Sequence, residues 1–335
     1  MQDLIVSKRD FMGKSKWLAL VAFCVAAGSV VAQESFPNRP IRLIVGFPPG
    51  GSTDVSARVF AQRLGANLGQ AVVVENRAGA GGRVATLAVA GAQPDGYTLL
   101  WAISSQVVLP VVFKQDPNFD PLRDLTPLTA ATKVDSLLVV PAASGITTFK
   151  QLVALLQDKS KNKAYGTQGA GTPGHIMNAW VAASANATNT VSVHYKGVTS
   201  SETDFLSGQI TYRFDTVTTL KRLGNKLNCL ASLTDKRLPD APGCPTFAEV
   251  GMPLDIDWTL WTSVQAPAGM PKPLRDRLYS SISKVLADEE FAKELARFGM
   301  SPMTGFTPEK TRALQEQQIK EWGEAVKRMG ITGAE

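Results

Sequence analysis

Two segments of this sequence place glycine, proline and hydroxyl side chains directly in front of an apolar helical pattern. The first is residues 47–54, FPPGGSTD, and the second is residues 166–175, GTQGAGTPGH. Glycines leave backbone N–H groups uncovered, and the N–H groups at a helix start attract an anion. The first segment is not a phosphate-binding P-loop, because no Gly-Lys-Ser/Thr follows it. A plain strand-to-helix turn with Ser52 as N-cap is the alternative reading of that segment.

Two further polar segments follow predicted strands. Ser104-Ser105-Gln106 comes directly after the third strand, and Tyr195-Lys196-Gly197 is followed by Asp215-Thr216 after the next buried strand. In open parallel sheets, ligands bind outside the carboxyl ends of the strands, so these segments are predicted to share one site with the glycine-rich loops. Lys196 as a solvated charge, Asp215 as a loop support and His175 as a capping residue are the structural alternatives.

The sequence carries no complete catalytic motif. It has no Gly-x-Ser-x-Gly and no His-Glu-x-x-His. Gly169, Gly171 and Gly174 spell Gly-x-Gly-x-x-Gly, but no acidic residue follows before Glu202, where a dinucleotide site needs one about 20 residues on. His175 and Asp215 would make an acid–base pair without an obvious nucleophile. We therefore expect no enzyme and no cofactor. An exported enzyme acting on a carboxylate is the rival hypothesis.

The elements that would position these segments alternate between apolar strands and amphipathic helices. Predicted strands are 41–45, 71–74, 97–102, 136–140, 164–166, 191–194, 210–214, 227–233 and 261–265. Predicted helices begin at Ser52 and Val84, span 149–157 behind Thr147 or Thr148, and follow again at 176–181, 274–285 and 307–329. This alternation predicts an α/β fold with doubly wound, mostly parallel sheets, and the chain length predicts two domains.

The N-terminal segment indicates export. Basic residues precede an apolar run over 17–31, and Val30-Val31-Ala32 has the small-residue pattern of a signal-peptide cleavage site. Removal of residues 1–32 lowers the net charge from +6 to +4. The remaining positive charges are spread along the chain, so they do not indicate nucleic-acid binding. Cys229 and Cys244 then remain, and an oxidising compartment favours a disulfide between them over two buried free thiols. The widely spaced His and Cys residues predict no metal site.

The sequence resembles the Bug-type (TctC-like) extracytoplasmic receptors of tripartite tricarboxylate transporters from about Phe36 to the C-terminus. The order and spacing of several short motifs carry the resemblance: PNRPIRLIV at 37–45, PGGSTD at 49–54, VENRAGAGG at 74–82, PDGYTLL at 94–100, YKG at 195–197, LPD at 238–240 and APAG at 266–269. Trp261-Thr262 departs from the Trp-Tyr pair that is frequent in this family, and residues 242–245 resemble a small insertion.

The resemblance implies a two-lobed type II periplasmic-binding-protein fold. Lobe 1 would comprise residues 33–135 and 262–335, and lobe 2 residues 136–261, with hinge crossings near 130–137 and 254–264. The implied ligand-binding residues are Phe47, Gly50, Ser52, Ser104, Ser105, Gly169, Thr172, His175, Tyr195 and Asp215, while Asp54 would support its loop.

The implied function is periplasmic capture of a small di- or tricarboxylate by a monomeric receptor that delivers it to the large and small membrane subunits of the transporter. Trp258, Trp261 and Tyr195 would suit an aromatic dicarboxylate, although core packing explains them equally well. A ligand-sensing partner of a membrane sensor is the alternative function.

Overall fold

The computed structural model describes residues 36–112, 119–187, 189–254 and 256–330, and residues from Arg39 onward form one compact unit. The predicted signal peptide lies outside the described residues. The strands are β1 (Ile41–Val45), β2 (Val72–Asn76), β3 (Thr98–Ile103), β4 (Leu125–Val134), β5 (Ser136–Pro141), β6 (Lys163–Thr167), β7 (Thr190–His194), β8 (Tyr212–Thr216), β9 (Leu227–Ser232), β10 (Leu260–Pro267) and β11 (Met300–Pro302).

Helices flank both faces of the strands. They are α1 (Ser52–Leu68), α2 (Arg83–Ala90), α3 (Ser105–Val112), α4 (Pro121–Asp124), α5 (Phe149–Gln157), α6 (Pro173–Ser184), α7 (Glu202–Leu206), α8 (Val217–Leu223), α9 (Lys272–Leu286), α10 (Glu289–Ala296) and α11 (Pro308–Arg328), with short 3-10 turns at Ala80–Gly82, Ala142–Ser144, Thr199–Ser201 and Gly224–Lys226. No helix within the described ranges is both long enough and apolar enough to cross a bilayer.

The strands form two sheets, one in each lobe of a two-lobed α/β fold. The first sheet has six strands in the order β11-β4-β10-β3-β1-β2, and the second has five in the order β7-β6-β8-β5-β9. The chain leaves the first sheet between Val134 and Ser136, and it returns between Ser232 and Leu260. The hinge crossings near 130–137 and 254–264, and the lobe boundaries around them, remain our proposal.

Both sheets are mixed, which corrects the expectation of mostly parallel sheets. The parallel pairings are those of the strand–helix–strand units: β1 with β2 and β3, and β6 with β7 and β8. Strand β10 runs antiparallel to both β3 and β4, and β5 runs antiparallel to both β8 and β9. The chain leaves the first sheet at the end of β4, Val134, and re-enters it at the start of β10, where Leu260 pairs with Val134. These two neighbouring strands therefore run in opposite directions.

Helix starts that depend on local sequence lie where the pattern predicts them. Thr148 caps α5 in a full capping box with Gln151, and Thr307 caps α11. In contrast, the sequence pattern missed strands β4 and β11 and helices α3, α4, α7, α8 and α10. Strand β4 was missed because it is buried along most of its length and lacks the alternation of a half-exposed strand. Ser105 and Gln106 belong to α3, so the expected loop at 104–106 is shorter than predicted.

The two lobes have continuous apolar interiors. Within one apolar cluster, Trp258 packs between Trp180 and Trp322, with ring centroids 5.3 and 5.1 Å away. Trp258 therefore belongs to the core. The predicted disulfide between Cys229 and Cys244 is present, and it ties β9 to the segment that follows it.

Candidate functional site

A cavity of about 80 Å³ lies between the two lobes. On that measure one water needs roughly 10–15 Å³, so the cavity holds several waters or a compact organic molecule. The six-stranded lobe and the strands that cross to it contribute Phe47, Pro48, Gly51, Ser52, Thr53, Ser56, Ile103, Ser104, Thr132, Val134, Leu260, Trp261, Thr262 and Met300. The five-stranded lobe contributes Gln168, Pro173, Gly197, Val198, Thr199, Asp215, Thr216 and Thr219.

The start of α1 opens onto this cavity. Its N-cap residue, Gly51, is extended (φ −81°, ψ 167°) and provides no side-chain cap. The first hydrogen bond of the helix runs from the Val55 N–H to the Gly51 carbonyl. Among the described residues, no acceptor contacts the N–H groups of Gly51, Ser52 or Thr53. Three donors at the positive end of a 17-residue helix therefore face the cavity and suit an anion.

Asp54 holds the loop in front of α1 in place. Its carboxylate accepts hydrogen bonds from the Gly50 N–H at 3.0 Å, from Arg58 Nε at 3.0 Å and from Asn76 Nδ2 at 2.9 Å. Asn76 also donates to the Phe47 carbonyl. Burial by itself would raise the pKa of Asp54, but these bonds outweigh burial and hold that pKa below its ordinary value. Asp54 is thus an ionised support of the loop, and its charge is directed away from the cavity lining.

The start of α6 reaches the cavity through Pro173. Most of the backbone donors around this helix start are hydrogen-bonded within the same loop. Thr172 caps the helix by accepting from the His175 N–H, and Pro173 has no N–H. The Gly171 N–H donates to His175 Nδ1 at 3.1 Å. Burial, with a smaller contribution from His194, lowers the pKa of His175 to about 4, so the ring is neutral at pH 7 and its Nδ1 can accept. His175 therefore positions the loop from within the lobe.

The remaining charged lining residue is Asp215, at the end of β8. Its Oδ1 accepts from the Thr216 N–H at 2.8 Å, and its Oδ2 accepts from Arg213 Nη2 at 2.6 Å. Both side chains of this ion pair are 1% exposed. Arg213 also donates to Ser201 Oγ and lies over the Phe205 ring. In the described part of the cavity wall, no Lys, Arg or His is present.

Polar lining groups that have no protein partner come from both lobes. The side chains of Ser52, Thr53, Ser104, Gln168, Thr199, Thr216 and Thr219 make no hydrogen bond to any described residue. By comparison, Thr132 and Thr262 bond to each other at 2.7 Å. Trp261 Nε1 donates to Gln318 at 2.7 Å, so the indole offers the cavity only its apolar ring surface. The wall combines free hydroxyl and amide groups with apolar surface.

The predicted ligand residues divide into two groups. Phe47, Ser52, Ser104 and Asp215 line the cavity, whereas Gly50, Ser105, Gly169, Thr172, His175 and Tyr195 do not. Most of the second group hold the loops: Gly50 donates to Asp54, Ser105 donates to the Gly81 carbonyl, and Thr172 Oγ1 donates to the Gly169 carbonyl. The Tyr195 hydroxyl donates to Asp204 at 2.7 Å, so Tyr195 does not act as an aromatic lining residue.

Sequence reasoning missed several lining residues. Gly51, Thr53, Gln168, Pro173, Gly197, Val198 and Thr216 stand inside or directly beside motifs that were singled out, so extending the prediction along those motifs would have found them. Ser56, Thr132, Thr199 and Thr219 carry no such signal. They reach the cavity because of the tertiary arrangement of their helices, turns and strands.

Glycines mark the places where the lobes touch. A Cβ atom on Gly197 would lie 2.9 Å from Pro48 Cδ, and one on Gly169 would lie 3.0 Å from the Gly81 backbone nitrogen. Gly299, at φ +66°, packs against Val217 of the other lobe, and Thr218 Oγ1 donates to the Phe298 carbonyl at 2.5 Å. These contacts describe a closed cleft, with walls near enough to surround a small molecule.

The family model described as "Tripartite tricarboxylate transporter family receptor" matches residues 56–331. The chain belongs to this family. Protein BugT of Bordetella pertussis is 32% identical over 327 residues, which cover 95% of this receptor and 99% of BugT.

Solved structures agree with the family assignment. The periplasmic binding protein BugD superposes with a TM-score of 0.83 at 29% identity, covering 89% of this receptor and 99% of BugD. Rpa4515 of R. palustris, solved with adipate, has the same TM-score at 28% identity and the same coverage. The receptor is therefore a solute-binding protein of this family by sequence and by fold. Within the described ranges, no group of three or more His, Cys, Asp or Glu residues could hold a metal ion.

Proposed function

We propose that this receptor is exported to the periplasm, captures a small carboxylate between its lobes and delivers it to the membrane subunits of a tripartite tricarboxylate transporter. The observation that carries the proposal is the uncapped start of α1, where three N–H groups face an enclosed cavity without an acceptor. An anion in that position would complete the hydrogen bonds of the helix start. The adipate bound to Rpa4515 and the family description support the same class of ligand.

The ligand set proposed from the cavity keeps four of the predicted residues. Phe47, Ser52, Ser104 and Asp215 would contact the ligand, together with Thr53 and the free groups of the opposite lobe. Gly50, Ser105, Gly169, Thr172, His175 and Tyr195 would instead hold the binding loops in position.

Micromolar affinity requires about 8 kcal/mol of net binding free energy. Charge-assisted hydrogen bonds contribute about 1.5–3 kcal/mol each, so three backbone donors and a few hydroxyls in a closed cleft are sufficient.

The test separates the backbone donor of Ser52 from its hydroxyl. Ser52 is the first helical residue, a position that accepts proline, and extended Gly51 has the conformation that a residue before proline prefers. Ser52→Pro removes the N–H and the hydroxyl, whereas Ser52→Ala removes the hydroxyl alone. Each ligand-stripped variant would be titrated by calorimetry with mono-, di- and tricarboxylates and with the corresponding neutral amides.

We expect carboxylates to bind and amides not to bind. Loss of one charge-assisted bond should weaken binding about 10- to 100-fold more in Ser52→Pro than in Ser52→Ala, at equal melting temperature. If no carboxylate binds the wild-type receptor, the proposal is wrong. Deletion of the gene should also abolish uptake of the ligand identified. Uptake that persists while ligand-induced gene expression is lost would instead assign the receptor to a membrane sensor.

A further inference from the structure

This inference rests on the proposed capture of a carboxylate and concerns which carboxylates the cavity accepts. The two walls of the cavity differ electrostatically. On the α1 side, the free N–H groups of Gly51, Ser52 and Thr53 form an anion-binding surface, and the nearby Asp54 is bonded to Gly50, Arg58 and Asn76. One carboxylate therefore has a well-defined place in the cavity.

The opposite wall has a carboxylate of its own. Asp215 accepts from the Thr216 N–H and thereby occupies the backbone donor that precedes α8. Both side chains of the Arg213–Asp215 pair are 1% exposed, but only Asp215 is among the residues that line the cavity. The Arg213 nitrogens Nη1 and Nη2 are engaged by Ser201, Val198 and Asp215. Of this ion pair, only the negative residue, Asp215, lines the cavity. No cationic side chain lines the described wall to balance a second carboxylate on the ligand.

The start of α6 does not offer a second anion site either. The Thr172 side chain accepts from the His175 N–H, Pro173 lacks an N–H, and the Gly171 N–H is donated to His175 Nδ1. What the second lobe offers is neutral. It comprises the free side chains of Gln168, Thr199, Thr216 and Thr219, and the backbone N–H groups of Gly197, Val198 and Thr199, which have no acceptor among the described residues. The space between the walls is apolar, bounded by Ile103, Val134, Val198, Leu260, Trp261 and Met300.

We propose that the cavity selects compact monocarboxylates that have an apolar body and a neutral or hydroxyl-bearing far end, and that Asp215 discriminates against a second carboxylate there. A hydroxyl at the far end can donate to Asp215 or bond to the threonine hydroxyls. A carboxylate in that position loses its hydration and meets the negative member of the Arg213–Asp215 ion pair, with no cationic side chain lining the cavity to compensate. This selectivity would distinguish the receptor from Rpa4515, which was solved with the dicarboxylate adipate.

Matched ligand series test the proposal on the ligand-stripped wild-type protein. One series is benzoate, 4-hydroxybenzoate and terephthalate, and the other is butyrate, 4-hydroxybutyrate and succinate. In the series that fits the cavity, we expect the hydroxy acid to bind at least about tenfold more tightly than the diacid. A diacid that binds as tightly as its hydroxy acid overturns this inference and leaves the proposed function standing. Failure of every carboxylate, in these series and in a wider panel, overturns the proposed function itself.

Variants assign the discrimination to Asp215. Asp215→Asn should bring the diacid to within about threefold of the hydroxy acid. Asp240→Asn, which removes an exposed carboxylate paired with Lys221 on the same lobe, should leave the ratio as in the wild type. If Asp215→Asn does not fold, the double variant Arg213→Met/Asp215→Asn removes both buried charges together. A folded variant that keeps the wild-type ratio overturns the role of Asp215.

Discussion

Across the cleft, Gly197 packs so closely against Pro48 that a Cβ atom on Gly197 would lie 2.9 Å from Pro48 Cδ. The proline ring cannot rotate away, and the two residues belong to opposite lobes. This approach of the two lobes therefore leaves no room for a side chain at position 197. Position 169 is similarly restricted, because a Cβ atom on Gly169 would lie 3.0 Å from the Gly81 backbone nitrogen.

Gly197→Ala should keep the receptor from closing fully. The φ of Gly197 lies outside the left-handed region, so alanine is tolerated in the open lobe and clashes only on closure. We expect ligand affinity to fall by at least about tenfold with little change in melting temperature, since a sub-ångström shift in a packed contact costs 1–3 kcal/mol. Gly243→Ala is the matched control, because nothing lies within 4 Å of that position. Calorimetry together with X-ray scattering, with and without ligand, measures both effects. Equal affinities for the two variants would contradict the prediction.

Asp54→Asn should destabilise the receptor and weaken ligand binding. The buried carboxylate accepts hydrogen bonds from Gly50, Arg58 and Asn76. In Asp54→Asn, the side-chain NH2 group would face one or more of these N–H donors instead of accepting from them. We expect a loss of about 1–3 kcal/mol in the free energy of unfolding. Arg58→Met is the comparison: the Arg58 side chain is 51% exposed, so its removal should cost at most about 1 kcal/mol. Urea denaturation measures both losses, and a larger loss for Arg58→Met would refute the assigned role of Asp54.

His175 should make stability depend on pH. Its pKa is about 4 in the folded protein and about 6.5 in the unfolded chain, so below pH 6.5 the unfolded state binds more protons. Stability is therefore lost as the pH falls from 6.5 to 4, by roughly 3 kcal/mol if the whole shift is expressed. His175→Asn keeps an acceptor for the Gly171 N–H and does not titrate.

Unfolding free energies of wild type and His175→Asn, measured at intervals between pH 7 and 4, check this prediction. The wild type should lose more stability than the variant over this interval, and the difference should accumulate between pH 6.5 and pH 4. Carboxylates that titrate in the same range contribute equally to both proteins, so they cancel in the difference. Parallel curves would show that His175 does not titrate as described.

Replacement of both Cys229 and Cys244 by alanine should lower the free energy of unfolding by about 3 kcal/mol. The disulfide closes a loop with a sequence separation of 15, and a loop of that length restricts the unfolded chain by about this amount. Ligand affinity should stay near the wild-type value, because neither cysteine lines the cavity. Wild-type protein unfolded under reducing conditions should show the same loss. A stable double variant would contradict the prediction.

Much of this architecture could be predicted from local sequence alone. Thr148 with Gln151, and Thr307 in front of Pro308, mark helix starts because a cap joins residues only a few positions apart. The strand–helix alternation predicts the parallel pairings for a similar reason, since each crossover helix returns the chain in the same direction. The loop at 47–54, where we propose that an anion binds, could also be singled out, because its glycines and the following helix adjoin one another in sequence.

The tertiary structure decided which side chains meet in the cavity and how the sheets close. Antiparallel β10 pairs with β4 residues about 130 positions away, and no local pattern specifies such a register. Ser105 and His175 match the expected site in sequence, yet Ser105 bonds to the Gly81 carbonyl and His175 accepts from Gly171, so neither lines the cavity. Thr199 and Thr219 line it because their short helical segments in one lobe face the other lobe. Local sequence determines the conformation of each loop, whereas packing between lobes determines which atoms are left without a partner.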